Sequence, residues 1–218
     1  MKKLIDKLKA KGGSGPAADT GSAEPDADSR FFSTMFQERA EENLPQATWR
    51  ERAQRIGARP YDRERGAQKF AQLWGVDRYA ASLSPQDLAR MSQYLEFVEV
   101  DANQEIIGQD ELGDYMVIVL GGSIAVDRIQ PWGARARLAE ARPGDMLGEM
   151  SLLDAGSRFS ACTTLTPCVL AVVDAQGLDR MIMQEPRLGL ALLASLARRL
   201  SLRLRQVSAR LSALLSRG

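Results

Sequence analysis

The residues of this sequence best suited to chemistry lie between Pro143 and Cys162, in PGDMLGEMSLLDAGSRFSAC. Gly144 and Gly148 permit backbone conformations and close approaches closed to other residues. A short helix starting near Glu149 would direct free backbone N–H groups at its N-terminus, where a phosphate is stabilised. Arg158, returning from the far side of the loop, could grip the same phosphate with a bidentate fork. Glu149 would then accept a hydrogen bond from a neutral hydroxyl such as that of a sugar. A phosphate and a sugar hydroxyl together describe a nucleotide. The plain alternative is a polar, glycine-rich turn between two strands, and the residues alone leave both open.

Much other chemistry is excluded. The chain of 218 residues contains no histidine, which removes a Ser/His/Asp triad, a histidine base and histidine metal sites. No other group of nucleophile, base and oxyanion donor accompanies Glu149 and Arg158, so neither an enzyme nor a metal or cofactor is expected. Cys162 and Cys168 stand six apart in a strand-like region and read as ordinary buried thiols. The 29 basic and 28 acidic side chains nearly cancel, but they are segregated along the chain. Residues 2–11 carry five lysines around Leu4, Ile5 and Leu8, while seven arginines and no acid follow Pro186. Those arginines surround a leucine seam and read as a solvated face, so nucleic acid is not an expected partner. No run reaches the ~18 apolar residues of a bilayer span, and the N-terminus lacks a signal-peptide core. A cytoplasmic location is expected.

The elements that must position the site follow from periodicity. GGSGPAADTGSAEPDADS is too small and polar to bury anything and reads as a disordered linker. The cluster Phe31, Phe32, Met35 and Phe36 after it is expected to pack back on its own domain. Trp49 to Ile56 and Arg65 to Trp74 read as short helices. Ser84 as N-cap, Pro85 at the first helical position and the stripe Leu88, Met91, Leu95, Val98 predict another helix. From Phe97 to Val173 the period falls to two, and EIIGQ, DYMVIVLGG, SIAVDRI, ARLAEA, ACTTL and VLAVV read as short strands of a small sandwich or barrel. DAQGLDRMIMQ returns to helical spacing, and Leu188 to Leu215 predicts one long helix. Its residues Leu193, Leu196, Leu200, Leu204, Val207 and Leu211 form a coiled-coil seam, which predicts a parallel homodimer, the alternative being a seam folded back on the domain's own helices.

LGEMSLLDAGSRFSA resembles the phosphate-binding cassette of the cyclic-nucleotide-binding domain family, which includes the bacterial catabolite activator and the regulatory subunits of protein kinase A. GQDELGDYMVIVLGGSIAV, PGDMLGE, LTPCVLAVV and the closing helix extend the resemblance over residues 84 to 215. It implies an α+β fold, a β jelly-roll flanked by helices with a long C-terminal helix. It also implies that Glu149 binds the ribose 2′-hydroxyl and Arg158 the cyclic phosphate, with backbone groups of Gly148, Met150 and Ser151 completing the cradle. The sequence departs from the family at Phe159, where a small residue is usual and where a ring must turn away or occupy ligand space. Ser160 is the alternative source of a hydroxyl there. Asp110 replaces a turn glycine, a change that aspartate tolerates because it accepts left-handed backbone.

The expected division is a basic amphipathic segment over 1–12, a disordered linker over 13–44, a helical extension over 45–83, the cyclic-nucleotide-binding domain over 84–185 and a dimerisation helix over 186–218. The family's transcription factors continue into a winged helix-turn-helix after the long helix, whereas this sequence stops at Gly218. The expectation is a stand-alone sensor for a cyclic nucleotide such as cAMP, which moves its C-terminal helix and signals to a protein partner. The alternative is a scaffold protein with a vestigial site. Residues 2–11 are expected to form a solvated tail, with peripheral membrane contact by a basic amphipathic helix as the alternative.

Overall fold

The computed structural model describes residues 30–39, 47–75 and 83–216. Its elements run α1 (Phe31–Arg39), α2 (Trp49–Arg55), β1 (Arg59–Pro60), α3 (Arg63–Gly75), α4 (Pro85–Met91), a 3-10 turn (Ser92–Tyr94), β2 (Glu96–Val100), β3 (Glu105–Ile107), β4 (Tyr115–Gly121), β5 (Ile124–Ile129), β6 (Arg135–Ala141), β7 (Met146–Leu147), α5 (Glu149–Asp154), β8 (Ala161–Thr164), β9 (Cys168–Asp174), α6 (Ala175–Gln184) and α7 (Pro186–Leu215). The strands form two antiparallel sheets, ordered β1-β2-β9-β4-β7 and β3-β8-β5-β6. This is the expected α+β jelly-roll with flanking helices.

The five-stranded sheet is buried on both faces, and β4 shows why its sequence is continuously apolar. Tyr115, Val117 and Val119 point between the sheets and pack with Val98, Ile107, Ile124, Cys162, Leu170 and Val172. Met116, Ile118 and Leu120 point the other way, beneath Phe70, Trp74, Leu88, Leu178, Leu188 and Leu192 of the helices. Alternation on a strand covered from both sides therefore reads as an unbroken apolar run. The opposite case is β6, an edge strand exposed along most of its length. Its arginines and glutamate guard that edge against pairing with other chains.

Two expectations are corrected. The helix opened by Ser84 forms with a full capping box to Asp87, but it ends at Met91, and Val98 lies in β2. Antiparallel pairing of Phe97 with Ala171 and Val98 with Leu170 overrides the helical stripe. The expected linker over 13–44 contains α1, whose Phe32 is buried in the helical core. The Asp179 carboxylate of α6 holds this helix by accepting from the Phe32 N–H at 2.9 Å, the Ser33 N–H at 2.9 Å and the Ser33 hydroxyl at 2.7 Å. The basic segment over 1–12 and the rest of the linker lie outside the described residues.

Pro186 stands in the first turn of α7, as a residue without a backbone donor can. At Gly189 a Cβ would come within 2.9 Å of the Ile182 Cα, so α6 and α7 cross with backbone nearly touching. The seam drawn from sequence is divided. Leu196 is wholly buried and Leu193 packs on the domain's own core, whereas Leu204, Val207 and Leu211 are exposed.

Candidate functional site

The cassette begins where β7 ends. Gly148 adopts φ +82° and α5 starts at Glu149, so the chain turns from strand to helix at a residue without a side chain. A Cβ at Gly148 would collide with the Arg158 guanidinium, and one at Gly113 would lie 2.5 Å from its Nη2. The two glycines thus make room for one arginine. The returning strand is fastened to the loop before β4: Asp110 N–H donates to Arg158 O at 2.8 Å, and Arg158 N–H donates to Glu111 O at 2.8 Å. Asp110 has φ +63°, the left-handed conformation its side chain tolerates.

Arg158 is 2 % exposed. Its Nη1 donates to Gly148 O at 2.7 Å and its Nη2 to Tyr115 O, and the guanidinium lies 4.7 Å from the centre of the Tyr115 ring. Its Nε is buried without a partner, and among the described residues no carboxylate forms an ion pair with it. Burial pulls its pKa below the usual arginine value, against the pull of Tyr115, Glu111, Cys162 and Asp114. Arginine nevertheless keeps its proton. The other deeply buried arginine, Arg52, pairs with Glu111 and with Glu105 at 3.6 Å. An enclosed cation without a contacting anion is costly, so the two sites differ in what they still require.

Glu149 is also buried, and its Oε1 accepts from Arg203 Nη1 at 2.7 Å. Arg203 lies on α7, so this bond joins the cassette to the long helix. One turn earlier, Arg199 Nη1 reaches Gly144 O at 3.4 Å. Ser151 is buried in the first turn of α5, while Met150 beside it is 48 % exposed. Phe159 is 58 % exposed, with the Arg128 guanidinium 4.2 Å from its ring centre. Arg128 also donates from Nη1 to the Phe159 carbonyl. The ring therefore turns outward instead of filling the space beside Arg158. Ser160 is half-buried beside β8, which carries the Cys162 thiol. Burial pushes that thiol up to about 12, and both cysteines are free and buried, which suits packing and not reactivity.

The structure thus gathers Gly148, Glu149, Ser151 and Arg158 around one turn, with Met150, Phe159 and Ser160 at its rim. Sequence reading missed Tyr115, Gly113, Arg128, Arg199 and Arg203. The signal for the last two was present: they are four residues apart and interleave with Leu196 and Leu200, which fixes their side of the helix. Among the described residues no helix is long and apolar enough to cross a membrane, and no cluster of potential metal ligands occurs.

Residues 97–185, from β2 to the end of α6, match the family model described as the cyclic nucleotide-binding domain. A CRP-like cAMP-activated global transcriptional regulator of Mycobacterium tuberculosis is 31% identical over 118 residues, 54% of this chain and 53% of that protein. The chain thus spans about half the length of the curated relatives it matches. The Thermus thermophilus catabolite activator protein superposes with a TM-score of 0.56 at 27% identity, over 63% of each chain. A cyclic nucleotide-binding domain from Methylobacillus flagellatus superposes with a TM-score of 0.63 at 21% identity, over 67% of this chain and 83% of the other. The segment that carries the cassette, residues 97–185, thus matches the cyclic nucleotide-binding domain family model, and the superposed structures share the fold.

Proposed function

We propose that this chain is a cyclic-nucleotide receptor whose ligand reaches α7 through Glu149. The observation that carries the reading is Arg158: a guanidinium enclosed by Gly113, Gly148 and Tyr115, with an unpartnered Nε and, among the described residues, no carboxylate paired with it. A cyclic phosphate supplies the missing anion. The backbone of Gly148, Met150 and Ser151 lines its seat, Ser160 offers a hydroxyl, and Glu149 accepts from the ribose 2′-hydroxyl. Glu149 is held by Arg203. A ribose hydroxyl competes for that carboxylate and changes the hold on α7, whose exposed distal face then meets a second copy or a protein partner. The sensing unit of this reading is 84–185 and the output helix 186–218. Cyclic AMP is the first ligand to test, because the Mycobacterium tuberculosis relative is described as cAMP-activated.

Calorimetric titration of the full chain with cyclic AMP and cyclic GMP tests the receptor. Saturable binding is expected for at least one, and Arg158→Ala should weaken it by more than about 2 kcal/mol, the scale of lost charge-assisted bonds. Binding of neither nucleotide overturns the reading. A second reading, a scaffold with a vestigial site, is favoured by the fact that Glu149 and the Nη atoms of Arg158 already have protein partners. Under it Arg158→Ala leaves partner capture unchanged.

A further inference from the structure

We infer that Arg128 and Phe159 form a base-recognition platform that favours guanine over adenine; the inference rests on the receptor reading above. Phe159 follows Arg158 directly, so its ring stands at the rim of the cradle, more than half exposed. An exposed aromatic face beside a phosphate seat offers a stacking surface for any base. Arg128 supplies the discrimination. It follows Val126 at the strand period of two, and Val126 packs against the core between the sheets. Arg128 therefore leaves β5 on the inner side, toward the cassette, where its guanidinium covers the Phe159 ring.

The pairing of charges on this sheet singles Arg128 out. Arg135 and Arg137 lie on the outer side and pair with Asp127, and Arg142 pairs with Glu140. Among the described residues Arg128 has the Phe159 carbonyl and ring as its polar and ring contacts, which leaves its Nε and Nη2 donors for something else. The neighbouring backbone is firm: the Gln109 side chain accepts from Ile129 N–H at 2.7 Å and donates to Ile129 O at 3.2 Å.

A purine stacked on Phe159 would place its edge within reach of a guanidinium on a flexible stem. Guanine offers O6 and N7, two acceptors that match two parallel N–H donors. Adenine offers N7 beside an amino donor, which opposes one of them. Arg128 then exchanges a cation–π contact, weak at an exposed site, for two charge-assisted bonds. None of the predicted cradle residues is the Asn or Gln that reads adenine.

The test is calorimetry of the full chain with cyclic GMP and cyclic AMP, for wild type, Arg128→Gln and Phe159→Ala. Wild type is expected to bind cyclic GMP roughly tenfold more tightly, the scale of one bidentate base contact. Arg128→Gln should remove that preference by weakening cyclic GMP alone, with an unchanged thermal midpoint because the side chain is partly exposed. Phe159→Ala should weaken both nucleotides and keep their order. Equal wild-type affinities, or a preference that survives Arg128→Gln, overturn the platform and leave the receptor intact. Unchanged affinities in Phe159→Ala overturn the stacking role. Binding of neither nucleotide overturns the receptor reading and this inference with it.

Discussion

The two halves of α7 share one leucine periodicity and have opposite surroundings. Toward its start, Leu188, Leu192, Ser195 and Leu196 are buried against the helical layer and the five-stranded sheet. Toward its end, Leu204, Val207, Leu211, Leu214 and Leu215 are each more than half exposed. Arg199 and Arg203 mark the change: Arg203 reaches the cassette at Glu149 and Arg199 the turn before β7 at Gly144. Spacing thus decides which residues share a face, while the cover for that face depends on how far the rest of the domain extends. A helix of 30 residues is about 45 Å long at 1.5 Å per residue, more than the sandwich beside it can cover.

The largest expected effect separates the halves directly. Leu196→Ala removes a wholly buried side chain and should destabilise the fold by about 2–5 kcal/mol. Leu211→Ala removes an exposed one and should leave unfolding at low protein concentration within about 0.5 kcal/mol of wild type, while weakening self-association. Urea unfolding and sedimentation at several concentrations check both. Equal costs for the two substitutions at low concentration would mean that the distal half is covered within one chain.

The same contrast marks the limit of what the sequence made legible. Strands with a clear period and a turn at each end, such as β5 and β9, were readable from local pattern. The cassette was legible through its resemblance to a family and not from local pattern, since Gly148, Glu149 and Arg158 by themselves leave a cradle and a polar turn both open. β2 was partly hidden, since its apolar residues continue a helical stripe and only pairing with β9 settles the matter. The two-residue strands β1 and β7 are too short to carry a pattern. The inward turn of Arg158 depends on Gly113 and Tyr115, some 40 residues away, and the Glu149–Arg203 bond spans 54 residues. No local spacing records such pairs. Phe159 posed a true ambiguity in sequence, and it was resolved by Arg128, a residue with no distinguishing neighbours of its own.

The junction between the halves gives an intermediate effect. Glu149 is buried whereas Arg203 is 57% exposed, so the pair is worth more than a surface ion pair and less than an enclosed one. Glu149→Gln and Arg203→Gln should each cost about 1 kcal/mol, with a double variant no worse than either single one, because contacting residues are not additive. Thermal or urea unfolding of the four proteins measures the coupling. Additive costs would mean that the bond does not join the cassette to α7.

The smallest effect concerns how the proximal half is anchored. Asp87 of α4 accepts from the Ser84 N–H at 2.9 Å and hydroxyl at 2.8 Å and from Arg90 at 2.7 Å, and Arg187 in the first turn of α7 lies 3.8 Å away. Arg90 in turn reaches Glu185, just before α7, at 3.2 Å. The Ser84 backbone and hydroxyl, then Arg90, hold the Asp87 carboxyl well below the usual carboxylate range. A lowered pKa means that the unfolded chain takes up the proton first on acidification. The stabilisation is therefore full above the ordinary carboxylate value near 4 and fades as pH falls below it. The helix α7 itself carries no acidic residue, so its distal half offers no carboxylate to titrate. The thermal midpoint should accordingly fall between about pH 4 and pH 2, and Asp87→Asn should start lower and fall less over that interval. An Asp87→Asn variant that keeps the full wild-type pH dependence would show that the acid response arises away from this anchor.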